Sequence, residues 1–186
     1  MAFLRGVRGL LAGVLLALVL SGAAPHAQAT LEHEVRAAFL YNFTRFIDWP
    51  TGAMPEDRFR ICVLGDERLA AAVEAMVAGE RVQSRPIALL TGTPADGLRG
   101  CQILYVAGTD LERTSKGSML TAVRNAPVLT VGESPAFLSR GGAIRFVLED
   151  NRVRFDVSLP ALQQAGLTAS SKLLRVARTV SGVAAP

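Results

Sequence analysis

Histidine, cysteine and lysine are scarce in this sequence, with two of each in 186 residues, and aromatics make up only 6%. There is no basic run and no ladder of interleaved aromatics, so the chain lacks the footprint that nucleic acid requires, and nucleic-acid binding is set aside. Charged residues, 19% of the total, are interspersed in sign. Half of the residues are hydrophobic, which excludes a disordered tail and gives apolar mass for one compact domain or at most two. The mean hydropathy of +0.32 is high for a soluble protein, but the excess is concentrated between Leu10 and Leu20.

That run belongs to a three-part secretory signal. Arg5 and Arg8 are the positive start, Leu10 to Leu20 the apolar span, and Ala27-Gln28-Ala29 a small-x-small cleavage site. Eleven apolar residues fall short of the roughly 20 that span a bilayer, which argues against an uncleaved anchor. The expected cut follows Ala29, dividing the chain into a signal peptide (1–29) and an exported domain (30–186). No Cys stands near the cut, so no lipoprotein is implied. The mature chain loses Arg5 and Arg8 and no acid, so its net charge falls from +4 to +2.

After cleavage His33 is the only histidine. His33-Glu34 begins like a zinc-protease motif, but Ala37 stands where the second His belongs. Two Cys and one His leave a structural zinc site short of its usual ligands. Gly132-Glu133-Ser134-Pro135-Ala136 resembles a nucleophile elbow up to its last position, where the Gly is missing. Neither Lys116 nor Lys172 has a Ser three residues before it. The lone Gly of Val63-Leu64-Gly65-Asp66 reads as a βα turn rather than a phosphate cradle. No catalytic residue, metal or cofactor is therefore expected.

Apolar residues Leu31, Val35, Ala38, Phe39, Phe43 and Phe46 have helical spacing, which predicts a helix over Leu31 to Ile47 that Trp49-Pro50 stops. Phe59 to Leu64 reads as a strand. Asp66 caps a helix with Leu69, Val73, Met76 and Val77 on its apolar stripe, ending at Gly79. Further strands are expected at Ile87 to Leu90, Ile103 to Ala107 and Val128 to Val131, with a helix over Asp110 to Arg124. Short apolar strands alternating with helices predict a parallel sheet covered on both faces.

After Gly141-Gly142 the pattern alternates on either side of Asp150-Asn151, a pair that tolerates the positive φ of a two-residue turn. The predicted hairpin pairs Ile144 with Val157, Arg145 with Asp156, Phe146 with Phe155, Leu148 with Val153 and Glu149 with Arg152. A short helix from Leu159 to Ala165, ended by Gly166, precedes a longer one after Ser170-Ser171 that carries Leu173, Leu174, Val176, Ala177 and Val180. Lys172, Arg175 and Arg178 form a basic stripe on its exposed side, which reads as a solvated face. The fold class is α/β: a single domain with a mostly parallel sheet flanked by helices and an antiparallel C-terminal hairpin.

Three stretches resemble the YfiR family of periplasmic proteins. The first is Ala37-Ala38-Phe39-Leu40-Tyr41-Asn42-Phe43-Thr44-Arg45-Phe46-Ile47-Asp48-Trp49-Pro50. The second runs from Leu129-Thr130-Val131 through Phe137 and Gly141-Gly142 to Arg154-Phe155-Asp156, and the third is Ala165-Gly166-Leu167 with Ser170-Ser171-Lys172-Leu173-Leu174. Cys62 before Gly65, and Gly100-Cys101 ahead of Ile103 to Val106, look like the family's cysteine pair. Arg145 stands where the family pattern has Asn, and Asp156-Val157-Ser158 replaces Glu-Ile-Asn. Contacts that use an Asn amide are not carried over, since Arg offers donors only.

The resemblance implies a non-enzymatic, redox-sensitive regulator that represses a membrane-bound diguanylate cyclase from the periplasm. Its implied partners are the periplasmic domain of that inner-membrane cyclase or of a sensor protein, and an outer-membrane lipoprotein antagonist. A homodimer and a periplasmic small-ligand sensing module stay open as alternatives, and no partner-binding residue is identified. A disulfide between Cys62 and Cys101 is expected, because the exported compartment is oxidising and the mature chain holds only this pair, both near core strands. Export with cleavage after Ala29 predicts that N-terminal sequencing of the periplasmic protein starts at Thr30; an intact Met1 would refute it.

Overall fold

A computed structural model describes residues 25–108 and 119–182. The chain divides into two units, residues up to Leu31 and Glu32–Pro186, and the second holds the whole sheet. The elements are α1 (Pro25–Phe46), β1 (Ile47–Asp48), β2 (Phe59–Leu64), α2 (Glu67–Val77), β3 (Arg81–Val82), β4 (Arg85–Thr91), β5 (Ile103–Val106), β6 (Leu129–Gly132), β7 (Ile144–Glu149), β8 (Arg152–Ser158), α3 (Leu159–Gln164), β9 (Thr168–Ala169), α4 (Ser171–Val176) and β10 (Thr179–Ser181). Two 3-10 turns, Ala95–Gly100 and Leu138–Arg140, precede β5 and β7. Residues 119–122 are helical. They are the described end of the helix expected over Asp110 to Arg124, of which 110–118 lie outside the described residues.

Among the described residues the main sheet has eight strands in the order β10-β8-β7-β6-β5-β2-β4-β3, parallel except for the β7–β8 and β3–β4 pairs. From β4 to β7 this is a doubly wound arrangement: the first of these strands in the chain, β2, lies between the second, β4, and the third, β5. Alternate residues divide the core between the two faces. Phe59, Ile61, Val63, Ile103 and Tyr105 pack with Leu69, Val73 and Val77 of α2 on one side. Cys62, Leu64, Leu104 and Val106 pack with Met119, Val123 and Val128 on the other. Chain connections thus leave β2 and β5 toward opposite faces, and the sheet has a switch point between their carboxyl ends.

Helix α1 ends at Phe46, one residue before the expected limit, because Ile47 and Asp48 pair with Ala169 and Thr168 and Ser170 N–H donates to Phe46 O. Its deepest residues are Ala37, Leu40 and Phe43, so the apolar stripe is centred on Leu40, which the helical count had left out. Phe39 and Phe43 meet Phe146 and Phe155 at centroid distances of 5.3 to 6.1 Å. Strand β4 is longer than Ile87 to Leu90 because β3 folds back on it through Gln83 and Ser84, both at positive φ. Neither residue type announces such a turn.

The hairpin has the expected register, from Ile144↔Val157 to Glu149↔Arg152, with Asp150 and Asn151 at positive φ. Its apolar face is covered only near the sheet: Ile144, Phe146, Phe155 and Val157 are buried, whereas Leu148 is 51% exposed near the turn. The two glycines before it are a packing requirement. A Cβ on Gly132 would lie 2.5 Å, and one on Gly142 2.2 Å, from the Phe137 ring.

The expected long C-terminal helix is two elements. Helix α4 stops at Val176, Ala177 turns extended, and Thr179–Ser181 joins β8 as the parallel strand β10. The cause lies on the polar side of the hairpin, where Asp156 is 1% exposed. Arg178 Nε and Nη2 donate to its two oxygens at 2.8 and 2.7 Å, Thr179 Oγ1 at 2.7 Å and Arg145 Nη2 at 2.6 Å. Arg178 N–H also donates to Phe155 O at 2.8 Å. Arg178 therefore does not share a helix face with Lys172 and Arg175, and Val180 belongs to a strand. Nor is Arg145–Asp156 a surface pair, although it lies on the face of the hairpin opposite Phe146 and Phe155.

Burial pushes the Asp156 carboxyl up, but the hydrogen bonds from Arg178, Thr179 and Arg145 outweigh it and hold the group at about 2. A folded-state value below the unfolded one of 3.8 contributes stability that is complete above about pH 5 and lost as pH falls through about 2. Asp156→Asn is expected to lower stability at neutral pH and to flatten the decline between about pH 4 and pH 2, measured by urea denaturation across that range.

Candidate functional site

Cys62 and Cys101 form a disulfide with a Cα–Cα distance of 5.9 Å. Cys62 is on β2, and Cys101 caps the 3-10 turn two residues before β5. Both are buried, among Leu64, Leu98, Leu104 and Val106. The bridge ties β2 to the chain leading into β5, the two strands that flank the switch point. Gln102 reinforces it: its amide oxygen accepts from Arg60 N–H at 2.8 Å, and its backbone N–H donates to Arg60 O at 2.9 Å. A reductant reaches these sulfurs only when the second face of the sheet opens.

A group of ionisable side chains lies at the carboxyl ends of the strands. Arg36 of α1 meets Glu133, just after β6, while Trp49 beyond the helix stands edge-on to Phe59 at the start of β2. From Glu32 onward helix α1 therefore runs antiparallel to the strands, with Arg36 at their carboxyl ends. His33 Nε2 is 3.4 Å from Asp66 Oδ2, and Asp66 Oδ1 also accepts from Leu69 N–H as the cap of α2. Arg36 Nε is 3.3 Å from Glu133 Oε1, an ion pair without hydrogen-bond alignment, and its Nη2 donates to Glu32. Tyr105, fully buried on β5, donates its hydroxyl to Glu133. Desolvation first, and the charge of Glu133 second, push the Tyr105 phenol far above its ordinary value, so it stays a hydrogen-bond donor.

The geometry joins α1, α2, β5 and the chain after β6 across the switch point, but among the described residues it assembles no nucleophile with a base. Ser134, the elbow-like serine, turns its Oγ to the N–H of Ala136. Among the described residues, no three His, Cys, Asp or Glu side chains form a group that could hold a metal ion. His33 was singled out in the sequence as the lone mature histidine. Arg36, Tyr105 and Glu133 carried no signal, because nothing in their spacing shows that a helix, a strand and a loop meet.

The fold and these contacts define a doubly wound α/β protein whose first helix is held across the switch point by the Arg36–Glu133 ion pair and the His33–Asp66 contact and whose central strands are bridged by a disulfide. The chain belongs to the YfiR/HmsC-like family, whose profile matches residues 33–178. It is similar in fold to a conserved domain protein from Vibrio cholerae O1 biovar El Tor, with a TM-score of 0.54 and 10% identity over 80% of this chain. It spans 60% of that protein's length. It is also similar, at a TM-score of 0.47 and 10% identity, to the ABC domain in complex with L-Trp from Streptococcus pneumoniae, covering 66% of this chain and 55% of that one. No curated protein matches the sequence. Among the described residues no helix is long and apolar enough to cross a membrane.

The disulfide closes a loop of 39 residues, for which the chain-entropy relation gives about 4 kcal/mol. The double variant Cys62→Ala/Cys101→Ala is expected to melt about 10 °C lower than the parent protein. Mass spectrometry after alkylation without reductant should find no modified thiol; two alkylated thiols in freshly isolated protein would count against the bridge.

Proposed function

We propose that the protein is a periplasmic regulator that represses a membrane-bound diguanylate cyclase by direct, stoichiometric contact and catalyses no reaction. The observation that carries this reading is membership of the YfiR/HmsC-like family over residues 33–178. The chemistry of the switch point is consistent with it. His33, Arg36, Tyr105 and Glu133 bind neighbouring side chains, an arrangement suited to holding a surface in shape rather than to transferring protons. Redox state acts through the bridge once the second face of the sheet opens to a reductant: loss of the bridge loosens β2 against β5 and with them the surface the client reads.

Deletion of the gene is expected to raise cyclic di-GMP and biofilm formation. The Cys62→Ala/Cys101→Ala chain should restore repression only in part. Unchanged cyclic di-GMP after deletion, in a strain that encodes a membrane cyclase beside this gene, would overturn the reading.

A further inference from the structure

Strand β4 has two unlike sides. Its inner side pairs with β2 from Phe59↔Ile87 to Val63↔Thr91, while β3 covers its outer side only at Arg85 and Pro86. Ile87 N–H donates outward to Glu80 O at 3.2 Å. Because successive residues of a strand turn their backbone groups to opposite sides, those of Leu89 and Thr91 also point outward. No described strand pairs with them. Sheet edges are usually protected by Lys, Pro, a bulge or a cover. From Ile87 to Thr91 this edge reads Ile-Ala-Leu-Leu-Thr, without a charge, and Leu90 is 37% exposed.

Beside the edge runs an open groove of about 840 Å³, between Leu89 and Thr91 on β4 and Ala71 and Glu74 on α2. Asp66, Glu67 and Glu74 line it and no basic residue does. Asp66 is engaged by His33 and by the α2 cap, whereas the carboxylates of Glu67 and Glu74 make no ion pair or hydrogen bond among the described residues.

We propose that this edge and groove bind an extended segment of a partner protein, which adds as a strand outside β4 and carries basic side chains on the face toward α2. The outward N–H and C=O groups of Leu89 and Thr91 select an extended backbone, and the two-residue period sets every second side chain of the added strand over the groove. Carboxylates without a cation select Lys or Arg there. A second copy of β4 does not meet that demand, since its residues from Ile87 to Thr91 are uncharged. The inference deepens the regulator reading, on which it rests for the partner's identity, by naming a surface for the client.

The test uses the mature chain (30–186) and two labelled peptides of about nine residues, one alternating Val with Lys and the other Val with Glu. The Lys peptide is expected to bind at least about tenfold more tightly than the Glu peptide and to slow hydrogen exchange at the Leu89 and Thr91 amides. Thr91→Pro, which removes an outward N–H and leaves the β2 ladder intact, should weaken binding about tenfold. The pair Glu67→Lys/Glu74→Lys should do the same without touching the edge. Equal binding of both peptides, or full binding by these variants, would overturn the proposal. So would protection of the two amides that rises with protein concentration alone, which would assign the edge to a second copy. Binding of the Lys peptide together with unchanged cyclic di-GMP on gene deletion would leave this surface standing and remove the regulator reading. Repression without peptide binding would remove the surface alone.

Discussion

Four phenylalanines carry the architecture. Phe39 and Phe43 on α1 meet Phe146 and Phe155 of the hairpin in stacked, tilted and edge-on contacts, the geometries that ring quadrupoles favour. Tyr105 of the central strand β5 joins them at 6.3 Å from Phe146. One cluster thus binds the first helix to strands about a hundred residues later and to the middle of the sheet. It also sets the direction of α1, and that direction brings His33 to Asp66 and Arg36 to Glu133 at the carboxyl ends of the strands.

Buried charge then decides details that apolar packing leaves open. A carboxylate as enclosed as Asp156 is costly unless each oxygen finds donors. Arg145 of β7, Thr179 of β10 and Arg178 just before β10 supply them. Meeting that demand draws the C-terminal segment out of helical conformation and into the sheet. Arg145 finds its use here: a group with donors only suits an acid, and its Nη1 also donates to Pro135 O at 2.8 Å.

The two sides of the sheet are finished differently. At the β10 side the outer strand has three residues and is tied to β8 by side chains as well as by its ladder, through Thr179 and through Ser181 Oγ on Val157 O. At the β4 side the short cover of β3, with Glu80 O on Ile87 N–H, leaves the strand open beyond Ile87. The disulfide lies between these limits, holding β2 to the approach of β5, so the central strands keep their places while the β4 side remains available for contact.

The pattern of residues alone determined the α/β class, strand β2 to the residue, the Asp66 cap, and the hairpin with its register. Each depends on local periodicity or on a turn that only certain side chains tolerate, and those are written in consecutive residues. The β3 fold-back stayed hidden because Gln83-Ser84 is an uncommon turn pair, and strand β10 because Val176, Ala177 and Val180 suit a helix as well as a strand. Tertiary structure decided where α1 ends, since Ile47 leaves the helix only when Thr168 and Ala169 offer a ladder. It also decided that Arg178 turns to Asp156 and that Arg36, Tyr105 and Glu133 meet. Their contacts join residues tens of positions apart, and no local pattern records which charges the packing of one helix on one sheet will bring within reach.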